Sequence, residues 1–175
     1  MVLGVLMTIC ETERLILRRF SVEDVEFIFD LLNDPAFIQF IGDKGIRTLD
    51  DARNYVLNGP LASYERFGFG MYMVALRAGG TPIGMCGLIK RDVLPDADVG
   101  FAFLPAFRGQ GYASEAAAAV IAHGRETFGL TRIAGIVDPA NAGSIRVLEK
   151  LGLVFERMIL MPGEEVPIKL FAREL

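Results

Sequence analysis

The sequence predicts an α/β (α+β) domain with one mixed, mostly antiparallel sheet of about seven strands, flanked by about four helices. Short apolar runs joined by tight turns in residues 70–104 predict neighbouring antiparallel strands. Farther along, a strand, a long alanine-rich segment and another strand in residues 99–137 predict a right-handed parallel crossover. A crevice is expected where the antiparallel and parallel parts of the sheet meet.

The first helix is marked by a capping box. Residues 14–20 alternate as a strand, and Ser21 with Asp24 then starts a helix that ends near residue 33. Residues 36–47 are expected to form a loop or a frayed turn. This segment either covers the core or borders a substrate.

A second capping box, Thr48 with Asp51, starts a helix that runs toward residue 67 and that Pro60 should kink or divide. The elements after it follow from apolar runs, glycine turns and alanine content. They are strands at 70–77, 82–90, 99–104 and 132–137, a helix from Glu115, a helix that is capped by the segment ending in Asn141 and runs through Lys150, and a hairpin of residues 153–161 and 166–174.

Length and composition indicate a single domain, residues 1–175, with a substantial core. Of the 175 residues, 52% are hydrophobic, and the mean hydropathy is +0.39, as in a well-packed globular protein. A disordered chain would have fewer apolar residues and a higher net charge. With a net charge of −4 and no basic stripe, we expect no nucleic-acid partner.

The N-terminal segment VLGVLMTI is apolar but too short to span a bilayer, and no basic leader region precedes it. We therefore expect no membrane association and a cytoplasmic location, with Met7 as a candidate for the natural start. Cys10 and Cys86 form neither a disulfide framework nor a metal-ligand spacing, so no metal site is expected. His123 is expected at the core edge rather than in catalysis.

The turn RGQGYA, residues 108–113, lies between a strand and the alanine-rich helix. Unpaired backbone N–H groups and the positive end of the helix dipole at such a position form a site for phosphate oxygens. Gly109 and Gly111 allow unusual backbone angles and a close approach of the ligand. Arg108 adds a positive charge suited to bidentate phosphate contacts.

Three phosphate-binding patterns compete for this turn. A P-loop is excluded because no GxxxxGK[ST] string occurs in the chain. A dinucleotide fingerprint would use GQGYAS with Asp138 after the next strand, but the residues PAFR separate the turn from its strand. The third pattern, [RQ]-x-x-G-x-[GA] of acetyl-coenzyme A binders, is filled by Arg108, Gly111 and Ala113.

The chain resembles the GNAT family of N-acetyltransferases, close to its RimJ/RimL-like branch of ribosomal-protein N-terminal acetyltransferases. The resemblance covers nearly the whole chain, through TERLILRRF, NDPAFIQFIGD, DVGFAFLPAFRGQGYASEA and NAGSIRVLEKLGL. It implies the GNAT fold, with a splayed parallel pair at the centre of the sheet, and acetyl-CoA as co-substrate. It also implies that residues 36–47 border the acceptor site.

The resemblance assigns the coenzyme contacts by position. The main chain of Phe101 and Phe103 would pair with the pantetheine arm, and the Phe101 amide would polarise the thioester carbonyl. Asn141 would hold the pantetheine side, with Ser144 near the sulfur. The backbone amides that would wrap the pyrophosphate are those of Gly109, Gln110, Gly111, Tyr112, Ala113 and Ser114.

The acid and base are assigned by the same resemblance. Asp98 occupies a position where relatives often carry a glutamate base, and its shorter side chain favours a water relay; the alternative is a solvated charge at the strand edge. Many relatives carry a tyrosine acid where this chain has Leu148. Ser144 is then the candidate proton donor, unless its hydroxyl only caps the helix.

We expect direct transfer in a ternary complex to a primary amine, foremost the α-amine of a protein N-terminus. An α-amino group has a pKa of about 7.7–8.0, so roughly a tenth is neutral at pH 7, whereas a lysine at about 10.4 costs on the order of 3.5 kcal/mol more. The alternatives are a small-molecule amine such as an antibiotic or polyamine, a non-catalytic acyl-CoA-binding module and, last, a nicotinamide enzyme. Both a monomer and a homodimer are compatible with the sequence.

Overall fold

The structure, a computed structural model, describes residues 6–175. Within this range one sheet contains eight strands: β1 (Thr8–Glu11), β2 (Leu15–Arg18), β3 (Met71–Leu76), β4 (Pro82–Ile89), β5 (Asp98–Phe103), β6 (Arg132–Val137), β7 (Val154–Ile159) and β8 (Ile168–Glu174). Their spatial order is β1-β2-β3-β4-β5-β6-β8-β7. All neighbouring pairs are antiparallel except β5 and β6, which are parallel. The predicted fold class is therefore confirmed.

The α-helices are α1 (Val25–Leu32), α2 (Pro35–Phe40), α3 (Leu49–Val56), α4 (Ala62–Phe67), α5 (Tyr112–Phe128) and α6 (Ala142–Lys150). The two predicted capping boxes are both formed, at Ser21 and at Thr48. A π-helical segment that contains Pro60 divides α3 from α4, as expected for a proline inside a helix. No helix within residues 6–175 is long and apolar enough to cross a membrane.

Three local predictions were wrong. Residues 36–47 were expected to be irregular, but the first part belongs to α2, because the Asp34 carboxylate accepts a hydrogen bond from the Phe37 amide and Pro35 occupies the first turn. Helix α5 begins at Tyr112 instead of Glu115, directly after Gly111. Strand β1 was missed because it lies in the short N-terminal apolar segment, whose residues 1–5 lie outside the described range.

The sheet separates two apolar clusters. Helix α5 packs on one face, where Ala116, Ala117 and Val120 meet Val99 and Phe103 of β5. Helices α1 and α3 pack on the opposite face and form the second cluster together with β3 and β4. The crossover helix and the helices of the first third of the chain therefore lie on opposite faces of the sheet.

Strands β5 and β6 pair at one position and then diverge. Their ladder in the described residues consists of the single pair Asp98–Ala134, and the Ala134 amide donates to the Ala97 carbonyl at 3.0 Å. On the other side, β5 pairs with β4 along its whole length. The gap that opens between β5 and β6 is the crevice expected from the change of strand direction.

Candidate active site

A cavity of about 540 Å³ opens at this gap. Its lining comes from the turn before α5, one side of α6, α2 and the end of α1. The last residues of β5, including Phe101 and Phe103, also line it. A volume of this size is in the range of ligand-binding pockets, about 300–1,000 Å³.

The main chain of β5 presents hydrogen-bonding groups to the gap. The Leu104 amide donates to the Ile83 carbonyl on β4 at 2.9 Å, so residue 104 faces β4. Successive residues of an antiparallel strand face opposite sides. The N–H and C=O groups of Phe101 and Phe103 therefore point away from β4, into the gap beside β6.

The turn before α5 has the backbone conformation expected of a phosphate-binding turn. Gly109 and Gly111 have φ angles of +72° and +83°, a region that side chains with a Cβ rarely adopt. Helix α5 starts directly after Gly111 and runs for 17 residues. Its first amides are unpaired within the helix and carry the positive end of the dipole toward the cavity.

Arg14, in the turn between β1 and β2, contacts the turn before α5 from outside the cavity. Its Nη1 donates to the Gln110 carbonyl at 2.9 Å, and its Nε donates to Glu115 at 2.7 Å. The guanidinium also lies 4.3 Å from the centre of the Tyr112 ring, in a cation–π contact. Glu115 accepts a further bond from Thr12 at 2.6 Å.

This network also affects the Glu115 carboxyl. Partial burial by itself would raise its pKa, but the hydrogen bonds from Thr12 and Arg14 outweigh this effect and lower the pKa below its usual value. The β1–β2 turn is therefore fastened to the start of α5 by an ionised group. Sequence reasoning missed this contact because more than 100 residues separate its two sides.

Arg108 connects the same loop to α2. Its Nη2 forms an ion pair with Asp34 at 2.5 Å, and its Nε donates to the Phe103 carbonyl at 2.9 Å. The Asp34 side chain is only 6% exposed and also caps α2. A bidentate phosphate contact through these two donors, as predicted from the sequence, would require the Asp34 pair to break.

Helix α6 supplies a polar face to the cavity. The Asn141 side chain accepts from the Ser144 amide at 3.1 Å, so Asn141 is the cap as predicted, and the alternative of a capping role for Ser144 is wrong. Ser144 lines the cavity, together with the cations Arg146 and Lys150. Leu148 does not line it; this side chain is 2% exposed and packs in the core.

Asp98 lies apart from the cavity. Its side chain is nearly fully buried and pairs with the Arg91 Nε at 2.9 Å, so the alternative of a solvated charge is wrong. Burial raises the pKa of the Asp98 carboxyl above its ordinary value, although Arg91 acts in the opposite direction. Asp98 and Phe101 are three residue steps apart on the extended strand, so their backbones are about 10 Å apart.

Most of the predicted site residues meet at the cavity. Those that line it are Phe101, Phe103, Arg108, Gly109, Gly111, Tyr112, Ala113, Ser114, Asn141 and Ser144. Gln110 does not line it; its side chain donates to the Ala106 carbonyl at 2.9 Å instead. Arg146 and Lys150 were missed, although their i, i+4 spacing, which puts them on one helix face, was visible in the sequence.

Among the residues that the structure describes, neither a metal-ligand cluster nor a thiol lines the cavity. No cluster of three or more histidine, cysteine or carboxylate side chains occurs in residues 6–175. Cys86 is fully buried, and burial raises the pKa of its thiol. Cys10 is half-buried and does not line the cavity.

Similarity to known proteins covers most of the chain. A family model described as an acetyltransferase (GNAT) domain matches residues 14–154. The uncharacterized N-acetyltransferase YnaD of Bacillus subtilis is 30% identical over 142 residues, which are 81% of this chain and 80% of that protein.

Solved structures of other proteins have the same fold. A GNAT-family acetyltransferase from Bacillus anthracis superposes with a TM-score of 0.79 at 28% identity, over 94% of this chain and 96% of that chain. RimL, a ribosomal-protein alpha-N-acetyltransferase in complex with coenzyme A, has a TM-score of 0.82 at 18% identity, over 96% of this chain and 98% of that chain. At this identity the likeness to RimL shows the fold alone.

Proposed function

The chain belongs to the GNAT family of acetyltransferases, and from this premise we propose that it transfers the acetyl group of acetyl-CoA to the α-amine of a protein N-terminus. Acetyl-CoA-dependent acyl transfer follows from the family. The choice of acceptor is the proposal, and it rests on the charges that line the cavity.

The observation that carries the proposal is that no carboxylate lines the cavity among residues 6–175, whereas Arg108, Arg146 and Lys150 do. An amine must lose its proton before it attacks a thioester. A lysine or alkyl amine near pKa 10.4 would need a strong, adjacent base, whereas an α-amine near 7.7–8.0 is already partly neutral at pH 7.

The residues around the cavity fit acetyl-CoA as co-substrate. We assign the phosphates to the amides from Gly109 to Ser114 and to the start of α5, which supply the donors such groups need. Arg146 and Lys150 supply positive charge that is not paired in any ion pair found in residues 6–175. The pantetheine arm is assigned to the main-chain groups of Phe101 and Phe103 and to Asn141.

For the chemical step we assign three roles. We assign the Phe101 amide, which points into the gap, as donor to the thioester carbonyl, where negative charge develops during attack. We assign Ser144 as the proton donor to the departing sulfur, because Ser144 lines the cavity and Leu148 does not. Asp98 acts as base only through a water relay, since it is buried about 10 Å along β5 from Phe101.

An α-amine acceptor is compatible with this fold, since RimL, an alpha-N-protein acetyltransferase of a ribosomal protein, has the same fold over nearly the whole chain.

The test is a thiol-release assay with acetyl-CoA and three sets of acceptors: peptides with free N-termini, the same peptides with a blocked N-terminus and one internal lysine, and small amines. We expect release with the free N-termini at neutral pH and none with the blocked peptides. Equal rates with the blocked, lysine-containing peptides would overturn the proposal. Calorimetric titration with coenzyme A shows whether an absence of release is due to the acceptor or to the coenzyme site: heat of binding points to the acceptor, and no heat points to the coenzyme site.

A further inference from the structure

We infer that the acceptor carries a large apolar side chain next to its amine, so that the substrate is a protein N-terminus beginning with a residue such as leucine, methionine or phenylalanine. This inference rests on the proposed function and specifies its substrate class. It follows from the part of the cavity wall to which no coenzyme contact is assigned.

The wall that α1 and α2 contribute to the cavity is apolar. It consists of Leu31 at the end of α1 and of Ala36, Phe37, Phe40 and Ile41 in and directly after α2. Phe37 is buried in the core, whereas the Ile41 side chain is 47% exposed. Exposed apolar surface inside a pocket favours a ligand that covers it.

The wall is held in place before any ligand binds. Asp34 caps α2 and pairs with Arg108 of the phosphate loop. Phe37 anchors the helix in the cluster formed with Ile28, Leu32 and Met73. An apolar group that enters the cavity therefore meets a preformed surface, and little ordering of the protein opposes its binding.

Charge argues against the competing acceptors. A polyamine or an aminoglycoside carries several positive charges, which need carboxylate partners to leave water. The charged side chains that line the cavity in the described part of the chain are Arg108, Arg146 and Lys150, all of them cations. Asp34 does not line the cavity, and its charge is already paired with Arg108.

An acidic first residue is the alternative that the cations would favour, but their position opposes it. Arg146 and Lys150 lie on α6, a different element from the apolar wall that α1 and α2 form. We have assigned them to the phosphates of the coenzyme. The side chain of the acceptor would lie against α2.

The inference is tested with peptides that differ only in the first residue, which is leucine, phenylalanine, alanine, serine or aspartate, and with spermidine as a polycation. We expect kcat/KM for the leucine and phenylalanine peptides to exceed that for the alanine peptide by about tenfold or more. The substitutions Phe40→Ala and Ile41→Ser should bring this ratio toward one and leave the KM for acetyl-CoA unchanged. Ile38→Ala is the matched control, because Ile38 is exposed on the same helix but does not line the cavity.

The outcomes separate this inference from the proposed function. Preference for serine, aspartate or spermidine, or a leucine-to-alanine ratio that survives both wall substitutions, would overturn the inference while N-terminal acetylation stands. Coenzyme binding without transfer to any free N-terminus would overturn the proposed function itself. Loss of the preference in Ile38→Ala as well would overturn the assignment of the wall.

Discussion

Asp98 illustrates how far the surroundings of one residue can change its chemistry. By sequence position it corresponds to the base of related enzymes, yet in the structure it is 1% exposed and bonded to Arg91. An ionised carboxylate in such a place is disfavoured by burial and favoured by its partner, and burial prevails, so its pKa is raised. Its first role is therefore structural, and any proton that it accepts must reach it through a water relay.

The raised pKa of Asp98 predicts a pH dependence of stability. Because the pKa is higher in the folded protein than in the unfolded chain, the stability contributed by Asp98 is full below its unfolded value of about 3.9 and falls as the pH rises through the folded value. We expect the difference in unfolding free energy between the wild type and Asp98→Asn to decline from about pH 4 upward and then to level off. Urea unfolding at a series of pH values measures it, and a difference that rises with pH would contradict the prediction.

Ser144 gives the second prediction at this scale. If its hydroxyl protonates the departing sulfur, Ser144→Ala should lower kcat at least about tenfold, within the usual range for general acid catalysis, with little change in coenzyme affinity. The Asn141 cap should keep α6 in place, since it bonds the backbone of residue 144 and not the side chain. Steady-state kinetics and calorimetry measure the two quantities, and an unchanged kcat would remove Ser144 from the mechanism.

At the scale of elements, α2 depends on Asp34 in two ways that substitution can separate. Asparagine still caps a helix but cannot form the ion pair with Arg108, whereas alanine can do neither. We expect Asp34→Asn to lower the free energy of unfolding by about 1–3 kcal/mol, toward the lower end because Arg108 is 40% exposed. Asp34→Ala should cost about 1 kcal/mol more.

The same two variants should affect catalysis on the acceptor side. Because the ion pair joins the phosphate loop to the acceptor wall, its loss should raise the KM for the peptide more than the KM for acetyl-CoA. Initial-rate measurements with each substrate varied in turn provide the comparison. Equal increases in both KM values would show that Asp34 only supports the fold.

The link between the β1–β2 turn and α5 leads to the opposite expectation for the two KM values. Glu115→Gln weakens the contact that holds Arg14 against the Gln110 carbonyl. We expect the KM for acetyl-CoA to rise several-fold while the KM for the acceptor stays nearly constant. The control is Glu11→Gln, which removes an exposed carboxylate of the same hairpin, one that pairs at 3.6 Å with Arg77 directly after β3. An equal effect of both substitutions would contradict a specific role of Glu115.

For the whole molecule, one cavity with a polar wall from the turn before α5 and from α6 and an apolar wall from α1 and α2 predicts that both substrates bind at the same time. No cysteine lines the cavity in the described part of the chain, and Cys86 is buried, so an acyl-enzyme on a thiol has no candidate there. We expect intersecting double-reciprocal plots when both substrates are varied, and no inactivation by iodoacetamide. Parallel plots would contradict direct transfer.

Several parts of this structure were predictable because their causes are local. The turn at Gly109 and Gly111, both capping boxes, the Asn141 cap and the division of a helix at Pro60 depend on residues within a few positions of one another. The same holds for α2 in retrospect, since Asp34 and Pro35 carry a start signal that an aromatic-rich segment obscured.

What the sequence by itself determined was the order of strands and helices, the phosphate-binding turn and the family that these imply, because each depends on short-range patterns. Tertiary structure alone decided which charges are free. It paired Arg108 with Asp34 across 74 residues, buried Asp98 beside Arg91, and left Arg146 and Lys150 as cations lining the cavity. The physical reason is that burial and ion pairing depend on distance in space, which only the packed sheet and its helices define.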